Sequence, residues 1–500
     1  GGPTAWLDDR RSALTAHIQH RLSGSVGGIA AAFVTGDTGA ITDEDADAMR
    51  RSGLAHLLSI SGLHVTAVVA GTMLLTLRLL ALSPWLALRA PLLLIAVGAG
   101  ALAGLAYTLL SGAEVPTVRS CVAALLVLAG IALGREALTL RLVAAGALVV
   151  MLFRPEAVAG PSFQLSFTAV IAIIAFHEHP AVRRFTRPRE EGWVHRTGRG
   201  LAILLATGLL VEGALAPIAA YHFHRAGLYG ALANVIAIPL TTFVVMPLEA
   251  LALLLDVMGL GAPFWWLAGQ GLTLLLALAR MVAEAPGAVA ALPSMPRGAF
   301  LSMVGGGLWV ALWRTRVRRL GIAPIVVGAA WVLLTPAPDL LVTGDGKHLA
   351  IRTADGLHLL RPRAGDYVRE QMSEGSGIQA AALDLDAMPG ARCTADACVA
   401  VVQRGDRAWR LLATRSPYFL DWAGFVTACR WADIVVSDRR LPHACTPRWL
   451  RLDRSVLART GGVAVTLTNG AVRSVFDRDQ HPWIARAAAP VSSSAARSGS

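Results

Sequence analysis

Charge is nearly absent from the middle of this chain. Between Leu54 and Pro336, 283 residues carry 19 Arg and 10 Asp or Glu, about one charge in ten. The other 217 residues hold 49 charges, about 23%, which is ordinary globular usage. At roughly 20 residues per crossing, the apolar block has room for about ten membrane spans. That excludes a purely soluble enzyme, a fibrous chain, a mainly disordered chain and a protein held by a single anchor. The fold class expected is a mainly α polytopic membrane protein with a small C-terminal α/β soluble domain.

The apolar runs fall at about 62–82, 88–110, 116–133, 139–153, 163–177, 200–221, 228–255, 263–284, 300–313 and 320–336. The run at 228–255 contains Pro239 and Pro247, so it reads as a broken or re-entrant helix. Residues 1–53 are polar with helical spacing and glycine breaks, and read as short amphipathic helices leading into the membrane. The chain starts at Gly1 without Met or signal peptide, as expected of a fragment lacking its natural N-terminus.

Positive charge orients spans, since cytoplasmic loops are enriched in Arg and Lys. The formal net charge is +12, and Lys347 is the one lysine among 45 basic residues. Arginines cluster in the connections 183–199 and 314–319. We read both clusters as cytoplasmic topology signals rather than nucleic-acid sites. Counting spans outward from them also places Arg89, Arg135 and Arg141 inside, and leaves residues 1–53 and everything after Pro336 outside. The expected location is a bacterial inner membrane, with the C-terminal domain on the periplasmic side.

From about Asp339 the period changes. LVTGDGKHLAIRTADGLHLL alternates around Gly and Asp turns as short strands do. WRLLATRSPY and WADIVVSDRR read as strands and FLDWAGFVTACR as a helix, giving a small α/β domain over 337–486. Residues 487–500, mostly Ala and Ser with a Pro and a Gly, read as a disordered tail.

The segment HLLSISGLHV (His56–Val65) opens the first span. A polar Ser-Ile-Ser-Gly-Leu-His run has no packing reason to stand there, and intramembrane ionisable groups usually face a cavity or a partner. SGAEVPTVRSCVAALL follows, with Pro116 and Arg119, then GREALTLRLVAAGALVVMLFRPEAV, PSFQLSFTAV and APIAAYHFHRAGLYGALANVIAIPL. In this order the segments resemble the ComEC/Rec2 competence family over about residues 30–336. The resemblance implies an inner-membrane channel, residues 54–336, that admits single-stranded transforming DNA to the cytoplasm. It also implies a cytoplasmic helicase-like ATPase and a periplasmic DNA receptor as partners. Homo-oligomerisation stays open.

A DNA strand needs a polar, basic lining, because hydrocarbon cannot solvate its phosphates. His64, Arg119, Gln164, Glu212 and Asn234 are the candidates for such a path. Arg119 also reads as a snorkelling side chain, or as the partner of Glu114 or Glu212. Glu212 also reads as a proton-coupling carboxylate or an ion-pair partner.

Chemistry on the strand is not expected. Lys347 lacks the Gly-x-x-x-x-Gly-Lys frame of a P-loop. Many family members carry a metallo-β-lactamase-like domain at the C-terminus. Its His-x-His-x-Asp-His cluster is missing here, so 337–486 resembles a reduced form of that domain, with no metal, cofactor or catalytic residue expected. Asp433, Asp438 and His443 read as turn residues. Cys393 and Cys398, five apart and on the outer side by the topology, are expected to form a disulfide. Two other functions compete with the channel. A membrane-anchored nuclease or hydrolase is disfavoured by the missing ligands. A small-solute secondary transporter is disfavoured by the lack of matched internal repeats.

Overall fold

The computed structural model describes residues 3–134, 139–227, 229–361, 363–378, 382–418 and 420–476. Arg135 and the segment 487–500 lie outside the described residues. Among those described, seven helices are long and apolar enough to cross a membrane: Gly62–Ala81, Leu92–Leu110, Val115–Ala132, Trp193–Phe223, Gly230–Asp256, Ala262–Glu284 and Arg316–Leu334. An eighth is added if Pro161–His177 and Pro180–Thr186, bent by 71°, form one broken span.

The expected ten spans are therefore too many. Three of the apolar runs form helices shorter than a full span. Leu140–Phe153 has 14 residues, about 21 Å at 1.5 Å per residue, and Arg154-Pro155 stops it. Pro161–His177 has 17 residues and bends ahead of Pro180, while Arg297–Leu312 has 16. The break expected at 228–255 is also elsewhere. Gly230–Asp256 runs as one span, with a five-residue π-helix, Thr241–Val245, between its two prolines. A π-turn absorbs the hydrogen bonding that the prolines interrupt without folding the span back.

The chain divides into two compact units. The first comprises Gly1–His222, Ala226–Ala290 and Met303–Ile325. Its core is built on Gly24–Thr35, a helix with nine of its 12 residues buried, Ile29, Ala30, Ala31 and Phe33 among them. That helix is apolar all round rather than amphipathic, and Trp265, Leu272, Leu275 and Ala279 of Ala262–Glu284 join the same cluster. Two charged ties fix the surrounding helices. Asp256 accepts from His17 (2.7 Å), Arg21 (2.9 Å) and the Trp265 indole (2.7 Å). Asp45 accepts from Arg280 at 2.8 Å. Residues 3–51 thus pack onto membrane helices as part of one core.

Helices Gly62–Ala81 and Leu92–Leu110 approach closely through Gly100 and Gly104. A Cβ on Gly100 would stand 2.8 Å from Met73 Cγ, and one on Gly104 3.0 Å from Val69 Cγ2. This is the small-xxx-small contact of membrane helices. On the outside Leu74, Leu75, Leu79, Leu102 and Leu105 are exposed, an apolar surface suited to lipid rather than to water. Arg314, at the start of the basic connection 314–319, pairs at 2.7 Å with Glu178, which ends helix Pro161–His177.

The second unit comprises Phe223–Arg225, Ala291–Ser302 and Val326–Ser500. Its C-terminal part holds a six-stranded sheet centred on Leu340–Val342 and Leu349–Arg352 and a five-stranded sheet containing Ala397–Arg404 and Arg407–Thr414. Leu340, Leu349 and Ile351 of the first sheet meet Val402, Leu411 and Val436 of the second in one core. Helix Asp366–Ser376 covers the far face of the six-stranded sheet through Met372. Helix Trp422–Trp431 covers the far face of the other through Cys429. The layers run helix, sheet, sheet, helix. Strands at Arg407–Thr414 and Ile434–Val436 and the helix between them fall where the sequence pattern places them.

Candidate functional site

The polar segment before the first span is a corner. Ala55–Leu58 is a single helical turn, Ser59 and Ser61 are extended, and Gly62–Ala81 then begins. His64, the third residue of the new helix, folds back on its start. Its Nδ1 accepts the Ser61 backbone N–H at 3.4 Å and lies 3.3 Å from the Ser61 hydroxyl. The Ile60 carbonyl accepts the Thr117 hydroxyl at 3.3 Å, which fastens the corner to the start of Val115–Ala132. Phe33 meets the His64 ring edge-on, with centroids 4.9 Å apart. The Ser-Ile-Ser-Gly-Leu-His run thus has a packing role, satisfying orphan N–H groups at a helix start as a capping residue does. His64 is fully buried, and its Nε2 has no hydrogen-bond partner among the described residues.

Beyond this corner lies a cavity of about 640 Å³ between helices Gly62–Ala81, Val115–Ala132, Leu140–Phe153 and Pro161–His177. Arg119 lines it, and the Arg119 Nε is buried with no hydrogen-bond partner among the described residues. No ion pair holds Arg119 among the described residues. Glu212, one of its expected partners, instead accepts the Ala231 N–H at 2.8 Å and so caps helix Gly230–Leu240. Gln164 is held between His222 (2.9 Å) and the Val158 carbonyl (3.0 Å). Asn234 keeps a buried Oδ1 with no hydrogen-bond partner among the described residues. Of the five candidates, Arg119 lines the cavity; His64, Gln164, Glu212 and Asn234 are not among its lining residues.

Glu249 was missed by the sequence reading. It is 2% exposed, four residues past the π-helix, and its Oε1 has no hydrogen-bond partner among the described residues. The available signal was a carboxylate alone inside the 228–255 run.

In the C-terminal part, Cys393 is bonded to Cys398 and Cys429 to Cys445, the second bridge not anticipated. Asp386 lies near the first pair, but joined sulfurs are not thiolate ligands. Asp433 accepts the Arg410 N–H at 2.9 Å, Asp438 pairs with Arg361 at 2.9 Å, and His443 is exposed. Asp453 is the most constrained carboxylate. Its burial would raise its pKa, but the Ser455 hydroxyl, the Arg451 guanidinium and the Val456 and Leu441 N–H groups outweigh that and hold it at about 2.

Compared with known proteins, residues 33–317 match the family described as Competence protein, more than half of the chain. The chain belongs to the competence (ComEC/Rec2-type) family. Among curated relatives, Competence protein ComA of Neisseria gonorrhoeae is 32% identical over 351 residues, 67% of this chain and 46% of the relative. ComE operon protein 3 of Bacillus subtilis is 26% identical over 224 residues, 44% of this chain and 25% of the relative. Uncharacterized protein YcaI of Escherichia coli is 28% identical over 249 residues, 48% and 31%. The chain thus spans between a quarter and a half of the length of these relatives. No solved structure matches. With its apolar helices, this is a membrane protein of the competence family.

Proposed function

We propose that the chain conducts single-stranded DNA across a bacterial inner membrane during natural competence. The observation that carries this reading is the coincidence of the competence-family match, residues 33–317, with the multi-span part of the chain. The name of the Neisseria relative points the same way.

Residues 54–336 form the conducting part in this reading, and 337–486 a module related to a reduced metallo-β-lactamase-like domain. The basic connections 183–199 and 314–319 lie in the cytoplasm in this reading, which their clustered arginines support. The C-terminal module lies in the periplasm, where its two disulfides would be stable. A helicase-like ATPase pulls the strand from inside, because no P-loop is present in the sequence. A periplasmic receptor delivers the DNA.

Deletion of the gene tests the reading. Internalised, nuclease-resistant DNA should fall to background, while duplex bound at the cell surface stays unchanged. Complementation with His64, Arg119, Gln164, Glu212 or Asn234 changed singly to Ala then reports on the path. Undiminished internalisation in the deletion strain, or a C-terminal tag modified only from the cytoplasm, sinks the proposal.

A further inference from the structure

The cavity beside Arg119 has a composition that a DNA corridor would not. Its lining is apolar along most of its length, through Val127, Ile131, Val143 and Phe167. Arg119, the one charged lining residue, stands with Ser120 and Thr66, while Thr139 and Ser166 add two hydroxyls elsewhere in the lining; a Cβ on Gly62 would fall 3.8 Å from the Ser120 Oγ, which places the first turn of Gly62–Ala81 at the Arg119 end. Arg119 is the fifth residue of helix Val115–Ala132, so the guanidinium stands about one turn from a helix end. It has no ion-pair partner among the described residues, and its Nε is buried and unbonded.

The dimensions are those of half a bilayer. Arg119 and Ile131 lie on one helix, and their spacing makes the cavity about 18 Å long. One leaflet contributes about 15 Å of the roughly 30 Å hydrocarbon core. A long apolar slot with a single unneutralised cation near its end fits an amphiphile with an anionic head and a hydrocarbon tail. A nucleic-acid strand would instead present a phosphate every few ångströms to Val and Ile side chains, with nothing to solvate them.

We propose that this cavity binds an anionic phospholipid from one leaflet, with its phosphate on Arg119 and an acyl chain lying between helices Val115–Ala132 and Leu140–Phe153. Guanidinium–phosphate bonds are charge-assisted and two-pronged, which selects an anionic head over a zwitterionic one. The bound lipid fills the space between four helices and so acts as a fixed part of the bundle. The inference is independent of DNA conduction, because lipid binding needs no transported strand.

The test uses the full chain in nanodiscs of phosphatidylethanolamine doped with phosphatidylglycerol, with retained lipid counted by native mass spectrometry. Wild type should retain phosphatidylglycerol preferentially. Arg119→Ala should weaken that retention at least about tenfold, the loss of a charged hydrogen bond, while Arg119→Lys keeps most of it. Gly146→Leu fills the cavity from the facing helix, where a Cβ meets nothing nearer than Leu126 at 3.6 Å. It should expel the lipid with Arg119 intact, which guards against misfolding of the arginine variants. Three results would each overturn the proposal: unchanged retention in Arg119→Ala and Gly146→Leu, displacement of the lipid by inorganic phosphate alone, or loss of DNA internalisation in Arg119→Ala with lipid retention unchanged. A chain that holds the lipid but whose deletion leaves uptake intact overturns only the proposed function.

Discussion

Protonating Asp453 should loosen one corner of the C-terminal module by a calculable amount. Its side chain is fully buried in its pair with Arg451 (2.7 Å). Its Oδ1 also accepts the Val456 N–H at 3.1 Å and the Ser455 hydroxyl, starting helix Arg454–Thr460. The folded pKa, about 2, lies below the ordinary value of 3.8. A depressed carboxylate stabilises the folded state above its unfolded pKa, and that stability is lost as pH falls through the folded one. The difference is worth about 2–3 kcal/mol at neutral pH, on the order of 30- to 100-fold in local opening. It should disappear progressively between about pH 5 and pH 2. Hydrogen exchange of peptides covering residues 434–467 in the full-length protein, corrected for intrinsic exchange rates, measures the effect. Asp453→Asn should lose about 2–3 kcal/mol of local protection at pH 7, because Arg451 is left without its carboxylate, and should flatten the acid limb. The same acid limb in Asp453→Asn as in wild type would refute the reasoning.

Four further outcomes are expected. Alkylation of the unfolded protein should label one cysteine, Cys121, before reduction and five after it. Removing the Cys429–Cys445 bridge, with its separation of 16 residues, should cost about 3 kcal/mol by loop entropy, against about 2 for the five-residue Cys393–Cys398 loop, read by denaturant-dependent exchange. Gly100→Leu should push helices Gly62–Ala81 and Leu92–Leu110 apart and destabilise by about 1–3 kcal/mol, seen as a lower unfolding temperature in nanodiscs, whereas the same change at Gly98, whose Cβ meets nothing within 4 Å, should be nearly silent. Asp45→Asn removes the partner of a half-exposed Arg280, so its cost should stay near 1 kcal/mol and shrink in high salt.

Apolarity along the chain located the membrane helices well, because a span must satisfy its hydrogen bonds internally and shed its charge. It overstated their number. The short runs 139–153, 163–177 and 300–313 count as spans by apolarity, whereas the helices they form are only 14, 17 and 16 residues long because the backbone stops bonding helically there. Strand patterns near Arg407–Thr414 and Ile434–Val436 were legible for the same local reason, namely short apolar runs bounded by turns, β-branched throughout in Ile434–Val436. His64 was not legible as a capping side chain, since the usual pattern places Glu or Gln at that position. The Cys429–Cys445 pairing depends on a helix folding over a sheet, which spacing alone does not encode. Glu212 as a cap for Ala231, and Asp256 as the hub for His17, Arg21 and Trp265, depend on contacts between distant segments that no local pattern records.

The Asp256 hub carries a consequence for biogenesis. Arg21 and Asp256 are separated by 235 residues, as are Asp45 and Arg280. At about 5–20 residues per second, the ribosome needs between roughly 12 and 47 s to make the second member of each pair after the first. Throughout that interval the earliest helices, Ile29 and Phe33 among them, have no Leu272 or Trp265 to cover them. Nascent copies must therefore be sheltered, by the insertion machinery or by bilayer itself, until the sixth of the seven long helices emerges and locks the start of the chain in place.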